Sequence, residues 1–304
     1  MSTADSTVNT VMTSSSEEEK SRSLWGDAMV TLFRDKTAVI ALAVVVFYAI
    51  VAILAATGLV AADWGAEIGG SYEAPSMKSF YHWFGLDIFG RSVILKVIHG
   101  TQVAMSVGLI ASLISIPIGV SLGATAGYFG GWVDDLIVWF YTTVSSIPYI
   151  LLLMSFSLIL GKGLTSVYIA LGLSSWVGIC RLIRGEVIKH KNREYVQAAS
   201  AIGGGHARKL LRHIIPNVTH IIIINASLMF QTAIKSEVIL SFIGLGVQGQ
   251  PSWGTMIDDA KLELMRGVWW QLAGATAAMF VVVLSFNILG DALRDALDPK
   301  LKGK

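Results

Sequence analysis

Six stretches of this chain run for close to twenty residues or more with scarcely a charge in them, and that property dictates the solvent in which it can fold. They are 37–62, 97–133, 136–161, 163–180, 217–246 and 268–290. A helix rising 1.5 Å per residue needs about 20 apolar residues to cross a hydrocarbon core ~30 Å thick. Hydrophobic residues make up 54% of the chain and charged ones 14%, against roughly 25% charged in soluble globular proteins. Backbone N–H and C=O groups in lipid must pair within their own segment, and the alternating strands of about ten residues that build a barrel are absent. The predicted fold class is therefore all-α, a polytopic membrane bundle of six transmembrane helices.

The basic residues set the expected orientation. Lys20, Arg22, Arg34 and Lys36 precede the first crossing. Arg181, Arg184, Lys189, Lys191, Arg193, Arg208, Lys209 and Arg212 lie between the fourth and fifth, and Arg294, Lys300, Lys302 and Lys304 follow the sixth. That places sixteen of the 23 Lys and Arg on one face, which the positive-inside rule assigns to the cytoplasm together with both termini. Asp134 and Asp135, in a short loop on the same face without a basic neighbour, argue weakly the other way. The domain organisation read from these patterns is a disordered polar tail over 1–23, an interfacial amphipathic helix over 24–36, the six-span domain over 37–292 and a cytoplasmic tail over 293–304. In the interfacial segment Leu24, Trp25, Met29, Leu32 and Phe33 recur at helical spacing, with Asp27, Arg34, Asp35 and Lys36 on or near the other side, the pattern of a helix lying along a leaflet or against another subunit.

Between 181 and 216 the chain leaves lipid for more than thirty residues. Tyr195, Ala198, Ala199 and Ile202 fall at i, i+3, i+4 and i+7, one helical stripe. Gly203, Gly204 and Gly205 then break the helix. A second stripe follows in Ala207, Leu210, Leu211, Ile214 and Ile215, with Arg208, Lys209 and Arg212 off it, and Pro216 is suited to open the next helix. The expectation is a rigid knob of two helices around a glycine corner.

The run Gln197-Ala198-Ala199-x3-Gly203, with Pro216 thirteen residues after the glycine, resembles the EAA loop of the membrane subunits of bacterial ABC importers. Its surroundings, Arg193-Glu194-Tyr195-Val196 and Arg212-His213-Ile214-Ile215-Pro216-Asn217, are similar to the dipeptide, oligopeptide and nickel branch, in particular its C-type permease. So are Gly85-Leu86-Asp87-Ile88-Phe89-Gly90-Arg91-Ser92, Leu240-Ser241-Phe242-Ile243-Gly244-Leu245-Gly246 and Pro251-Ser252-Trp253-Gly254. The likeness covers residues 24 to 298. It implies a type I importer permease fold in the bacterial inner membrane, a second homologous permease subunit forming a heterodimer, two cytosolic ATPases, an extracytoplasmic substrate-binding protein, and di- or oligopeptide cargo. Nickel chelates and glutathione are alternative cargoes of the same branch. It also implies that the 181–216 loop couples to the ATPases, through Glu194, Tyr195, Gln197, Ala198, Ala199, Ile202, Gly203, Arg208, Lys209, Arg212 and Pro216. Gln197 stands where the family usually has glutamate, a departure that removes the charge a salt bridge from that position would need and leaves it able to hydrogen-bond.

No catalytic role is expected of the chain. The phosphate-cradling G-x-x-x-x-G-K-[ST] run is missing, so ATP and Mg are expected on partner ATPases and no cofactor on this chain. His206, His213 and His220 drift off one face and lack completing ligands, which argues against a metal site, and nothing points to nucleic acid. The lone cysteine, Cys180, reads as a packing residue. Charges within lipid are costly, which singles out Lys235 and Glu237; two apart, they do not share a helix face, and Lys235 either snorkels outward or lines the pathway. Asn225, Ser227 and Gln231 are softer pathway candidates. A secondary transporter is the main rival reading, but no internal repeat supports it.

Overall fold

Asp35 separates the first two helices. Its carboxylate accepts hydrogen bonds from the backbone N–H and the hydroxyl of Thr37, at 2.8 and 2.7 Å. That cap starts α2 (Lys36–Ala56) directly after α1 (Leu24–Arg34). The computed structural model describes residues 24–297; the tail read over 1–23, residues 298–304 of the other tail, and the side chains of Leu24, Trp25, Asp27 and Ala28 lie outside the described residues. Along α1, Leu32 is buried against Ala38 and Leu289, whereas Met29 and Phe33 are exposed.

The buried residues of α2 are all alanines, at 38, 41, 52 and 55, while Ile40, Phe47, Ile50 and Ile53 point outward. This inside-out pattern belongs to a helix in lipid, where small residues let backbones meet and bulky ones face the acyl chains. The next helix, α3 (Val93–Phe129), is continuous through Pro117 and about 55 Å long. Its glycines 119, 123 and 127 form one face against the backbone of a later helix, α7 (Trp176–Lys191). A Cβ on Gly119 or Gly127 would stand 2.6 Å from the carbonyl oxygen of Trp176 or Arg184. Only a residue without a side chain permits that approach.

Gly130 and Gly131, both at positive φ, turn the chain into α4 (Gly131–Ser145). The third crossing expected over 136–161 is not one straight helix: α4 and α5 (Tyr149–Leu160) meet at 86°. Pro148 supplies no N–H and biases Ile147 away from helix, so the ladder stops there. The fourth crossing holds α6 (Leu164–Ser174) and α7, which form one segment, Leu164–Lys191. That segment continues eleven residues beyond 180, where the fourth crossing was expected to end.

After α8 (Glu194–Ala201) comes the glycine corner. A short helix, α9 (His206–Arg208), passes through a π-helical turn (Lys209–Ile214) into α10 (Ile215–Phe242). The second half of the expected knob is thus the first part of a 37-residue helical segment, His206–Phe242. Pro216 stands in the first turn of α10, as expected, but that helix continues directly from the π turn, whose wider path accommodates a ring that would otherwise press on the carbonyl four residues earlier. A further helix, α11 (Trp253–Leu264), is opened by a reciprocal cap between Ser252 and Thr255. It precedes α12 (Trp270–Leu297), which extends into the segment read as a tail and buries Ala296 and Leu297.

Among the described residues five segments are long and apolar enough to cross a membrane, and there are six if the bent α4–α5 pair is one span. Among the described residues there is no sheet, only two isolated bridges near Arg91. The end of α3, the start of α2, α8 and the end of α12 share the basic end of the bundle. The opposite end carries α11 and the loop before α3, packed around the buried Trp253 and Trp270.

Candidate functional site

Helix α8 is fixed to its own bundle along one side. Val196 and Ala199 are each 4% exposed and Tyr195 donates to or accepts from His190 Nδ1 through its hydroxyl at 2.7 Å. Gly203, at φ +79°, reverses the chain. Gly204 N–H then donates to Ala199 O at 2.8 Å, where a Cβ on Gly204 would stand 2.6 Å from the same oxygen. Lys209 Nζ donates to Ser200 Oγ at 3.1 Å, and the Tyr128 hydroxyl meets His206 Nδ1 at 2.9 Å. The corner is therefore held from both sides.

The stripe read from the sequence splits in two. Tyr195 and Ala199 turn inward, joined by Val196, so Ala199 is packed within this chain rather than offered to another. Glu194, Gln197, Ala198 and Ile202 face outward, Ile202 at 83% exposure. The Gln197 amide donates to Asn192 O at 3.1 Å. Arg208, Arg212 and Pro216 are exposed and Lys209 is half-buried. An isoleucine this exposed at the tip of a tethered helix costs free energy in water, at roughly 25 cal/mol per Å² of apolar surface, unless another surface covers it.

A cavity of about 550 Å³ opens beside the two helix interruptions, at Ser146–Pro148 and at Ser175. Tyr149 OH and Ser175 Oγ join them at 3.1 Å. Non-helical backbone within a membrane bundle is tolerated where protein buries it or where it lines a cavity. Of the pathway candidates, Asn225 lines this space together with Thr232 of α10. Lys235 is exposed one turn beyond Thr232. Ser227 abuts Gly290 of α12, and Gln231 is buried at 3% exposure. Glu237 is fully buried and accepts a hydrogen bond from Ser241 Oγ at 2.7 Å, so it and Lys235 inhabit separate environments. Ser145, Tyr149, Ser174, Ser175 and Arg181 complete the polar lining. Sequence reading missed them, although Pro148 in an apolar run was the available signal.

At the opposite end, Asp87 is 1% exposed and saturated. It accepts from the backbone N–H groups of Phe89 and Arg91, both at 2.9 Å, from Arg91 Nε at 2.8 Å and from Lys96 Nζ at 3.0 Å. Lys96 also donates to the buried Gln271 at 2.7 Å. Burial works against ionisation of Asp87, but the Lys96 ammonium and the Arg91 amide outweigh it and hold the carboxyl below its ordinary range. Nearby Glu263 is 3% exposed, and burial pushes its carboxyl up to about 7.

Residues 115–303 match the family model described as the binding-protein-dependent transport system inner membrane component. Residues 23–64 match the N-terminal transmembrane domain of oligopeptide transport permease C. The chain is 34% identical to the oligopeptide transport system permease protein OppC of Bacillus subtilis over 93% of its own length and 92% of that protein's. It is 38% identical to the dipeptide transport system permease protein DppC of the same organism, over 73% and 69%. Against the glutathione transport system permease protein GsiD of Shigella dysenteriae it is 37% identical, over 74% of each. With helices, a tethered EAA-type corner and a family match across most of its length, the chain belongs to the inner membrane components of binding-protein-dependent transport systems.

Proposed function

We infer that this chain is the C-type permease of an ATP-driven importer of di- and oligopeptides. It forms half of the pathway beside a second, homologous permease, receives cargo from an extracytoplasmic binding protein, and is driven by two cytosolic ATPases that carry the ATP and Mg. The basic end, with both termini, faces the cytoplasm. A solitary secondary transporter is set aside by the family to which the chain belongs.

The observation that carries this reading is the cavity at the paired helix interruptions, because straight helices packed through their full length would leave no room for cargo. Coupling is assigned to the outward face of α8: Glu194, Gln197, Ala198 and Ile202, with Gly203 setting the corner. Arg208 and Arg212 flank it, Lys209 ties the corner to Ser200, and Pro216 sits in the helix that carries the motion onward. Tyr195 and Ala199 anchor α8 to this chain.

Cells with the gene deleted and restored, supplied with labelled di- and tripeptides and with glutathione, test the cargo. Peptide uptake should vanish and return; retained peptide uptake with loss of glutathione uptake would replace the peptide reading with that of a glutathione importer. Coupling is tested by Ile202→Cys. Cys180 is the only native cysteine and is buried, so the new thiol should crosslink to an ATPase subunit, and a thiol that reacts freely with no ATPase adduct in the intact transporter would refute the assignment.

A further inference from the structure

Two arginines one turn apart on α7 have different partners. Arg184 is bound twice by Asp134, from Nε at 2.5 Å and from its terminal nitrogen at 2.7 Å. Arg181 points into the cavity. One of its terminal nitrogens donates to Ser145 Oγ at 2.8 Å, and its guanidinium carbon lies 4.9 Å from the centre of the Tyr141 ring. Among the described residues no carboxylate forms an ion pair with it, and none lines the cavity.

Ser145 is the last residue of α4, so the guanidinium rests at the helix end that carries partial negative charge. That holds the cation in place without neutralising it. A guanidinium presents five N–H donors in a planar fork suited to a carboxylate, and one hydroxyl uses a single donor. Lys235, exposed on the flank of α10 one turn beyond Thr232, carries a charge of the same sign. The rest of the lining is hydroxyl, amide or apolar, with Tyr149, Ser175, Asn225 and Thr232 against Leu228 and Met229.

We propose that Arg181 is the specificity-determining residue of the cavity and engages the carboxylate end of the cargo, an assignment that rests on the peptide-import reading. The opposite end of a peptide, an ammonium, meets no acid here. The site therefore fixes one terminus and leaves the remainder of the cargo free to vary, which suits a pathway for peptides of differing sequence.

The test uses the complete transporter in proteoliposomes with its binding protein, and compares uptake of trialanine with that of trialanine amide. The binding protein is the same throughout, so any preference it imposes cancels when variants are compared by their acid-to-amide ratio. Arg181→Gln should lower that ratio about tenfold, the loss expected for one charge-assisted pair, mainly through uptake of the acid. Arg181→Lys, which keeps the charge, should restore part of it. An equal fall for both peptides would make Arg181 a structural anchor of the α4 end and overturn the proposal, as would an unchanged ratio. Wild-type transporter that imports neither peptide would overturn the peptide reading and this inference with it, whereas peptide import with an unaltered ratio would overturn the inference alone.

Discussion

The two ends of the bundle treat their polar and apolar groups in opposite ways. Around Asp87 the charged groups pair within the chain: backbone amides, Arg91, Lys96 and Gln271 close a buried network under the α11 helix. Around α8 the chain secures the back of a helix and leaves the front bare, with Ile202 in solvent. The first end closes its Asp87 ion network within one subunit, and the second has the form of one half of a joint. Stability should therefore be concentrated at the first end and dependence on other subunits at the second, and substitutions can be chosen to separate the two.

The largest effect on the fold is expected from Asp87→Ala, which strands a buried ammonium. Breaking a buried pair from one side costs about 3–5 kcal/mol, so the variant should fail to accumulate as a monodisperse species in detergent. Asp87→Ala combined with Lys96→Met should recover much of the loss, because no charge is left alone; no recovery would mean that the network does not stabilise the end as described. Gly203→Leu should cost less, about 1–2 kcal/mol, since a side chain is disfavoured at φ +79° though no atom lies within reach of its Cβ. It should still insert and fold, yet lose most of its uptake; normal uptake in membranes containing it would remove the corner from coupling.

Glu263→Gln sharpens the comparison through pH. The ordinary glutamate value lies near 4.5 and the folded value at about 7. Between them the unfolded chain releases a proton that the folded chain retains, so stability falls as pH rises from about 4.5 to 7 and stays low above it. The variant should melt about 2–4 °C above wild type at pH 8 and show no gain at pH 4. A gain that is constant with pH would mean packing rather than ionisation. The smallest effect on the fold is expected from Ile202→Asp, within about 0.5 kcal/mol as for other surface changes, together with weakened co-purification of the ATPases. A large melting shift would show that Ile202 supports its own bundle.

How much of this was legible depended on whether the signal was local. Hydropathy located the five crossing-length segments and the bent α4–α5 pair, because lipid imposes its length requirement on each segment separately. The same averaging hid the right-angled break, since Ser146-Ile147-Pro148 carries no charge and only the proline marks it. Helix α11 falls between the apolar runs because Asp258, Asp259, Lys261 and Glu263 make it polar, although Ser252 and Thr255 spell its cap. The phase of α8 was mistaken in part: Ala198 and Ile202 formed a plausible stripe, but Val196 fills the core, and that choice belongs to tertiary packing. Asp87, Lys96 and Gln271 are gathered from three separate segments, a meeting that no periodicity announces. Asp134 and Asp135, expected in a short loop, lie in the first turns of α4, and Asp134 is paired by Arg184 of α7, so its charge no longer weighs against the basic face.

The three glycines of α3 have one further consequence. By admitting the α7 backbone so closely, they leave no layer of side chains between the two helices that could slip. One terminus of α7 lies at the cavity wall, and two residues separate the other from α8. A strut of about 24 Å, seated directly on its neighbour, thus links the bare isoleucine to the lone guanidinium, and a shift imposed at either place reaches the other with little slack to absorb it.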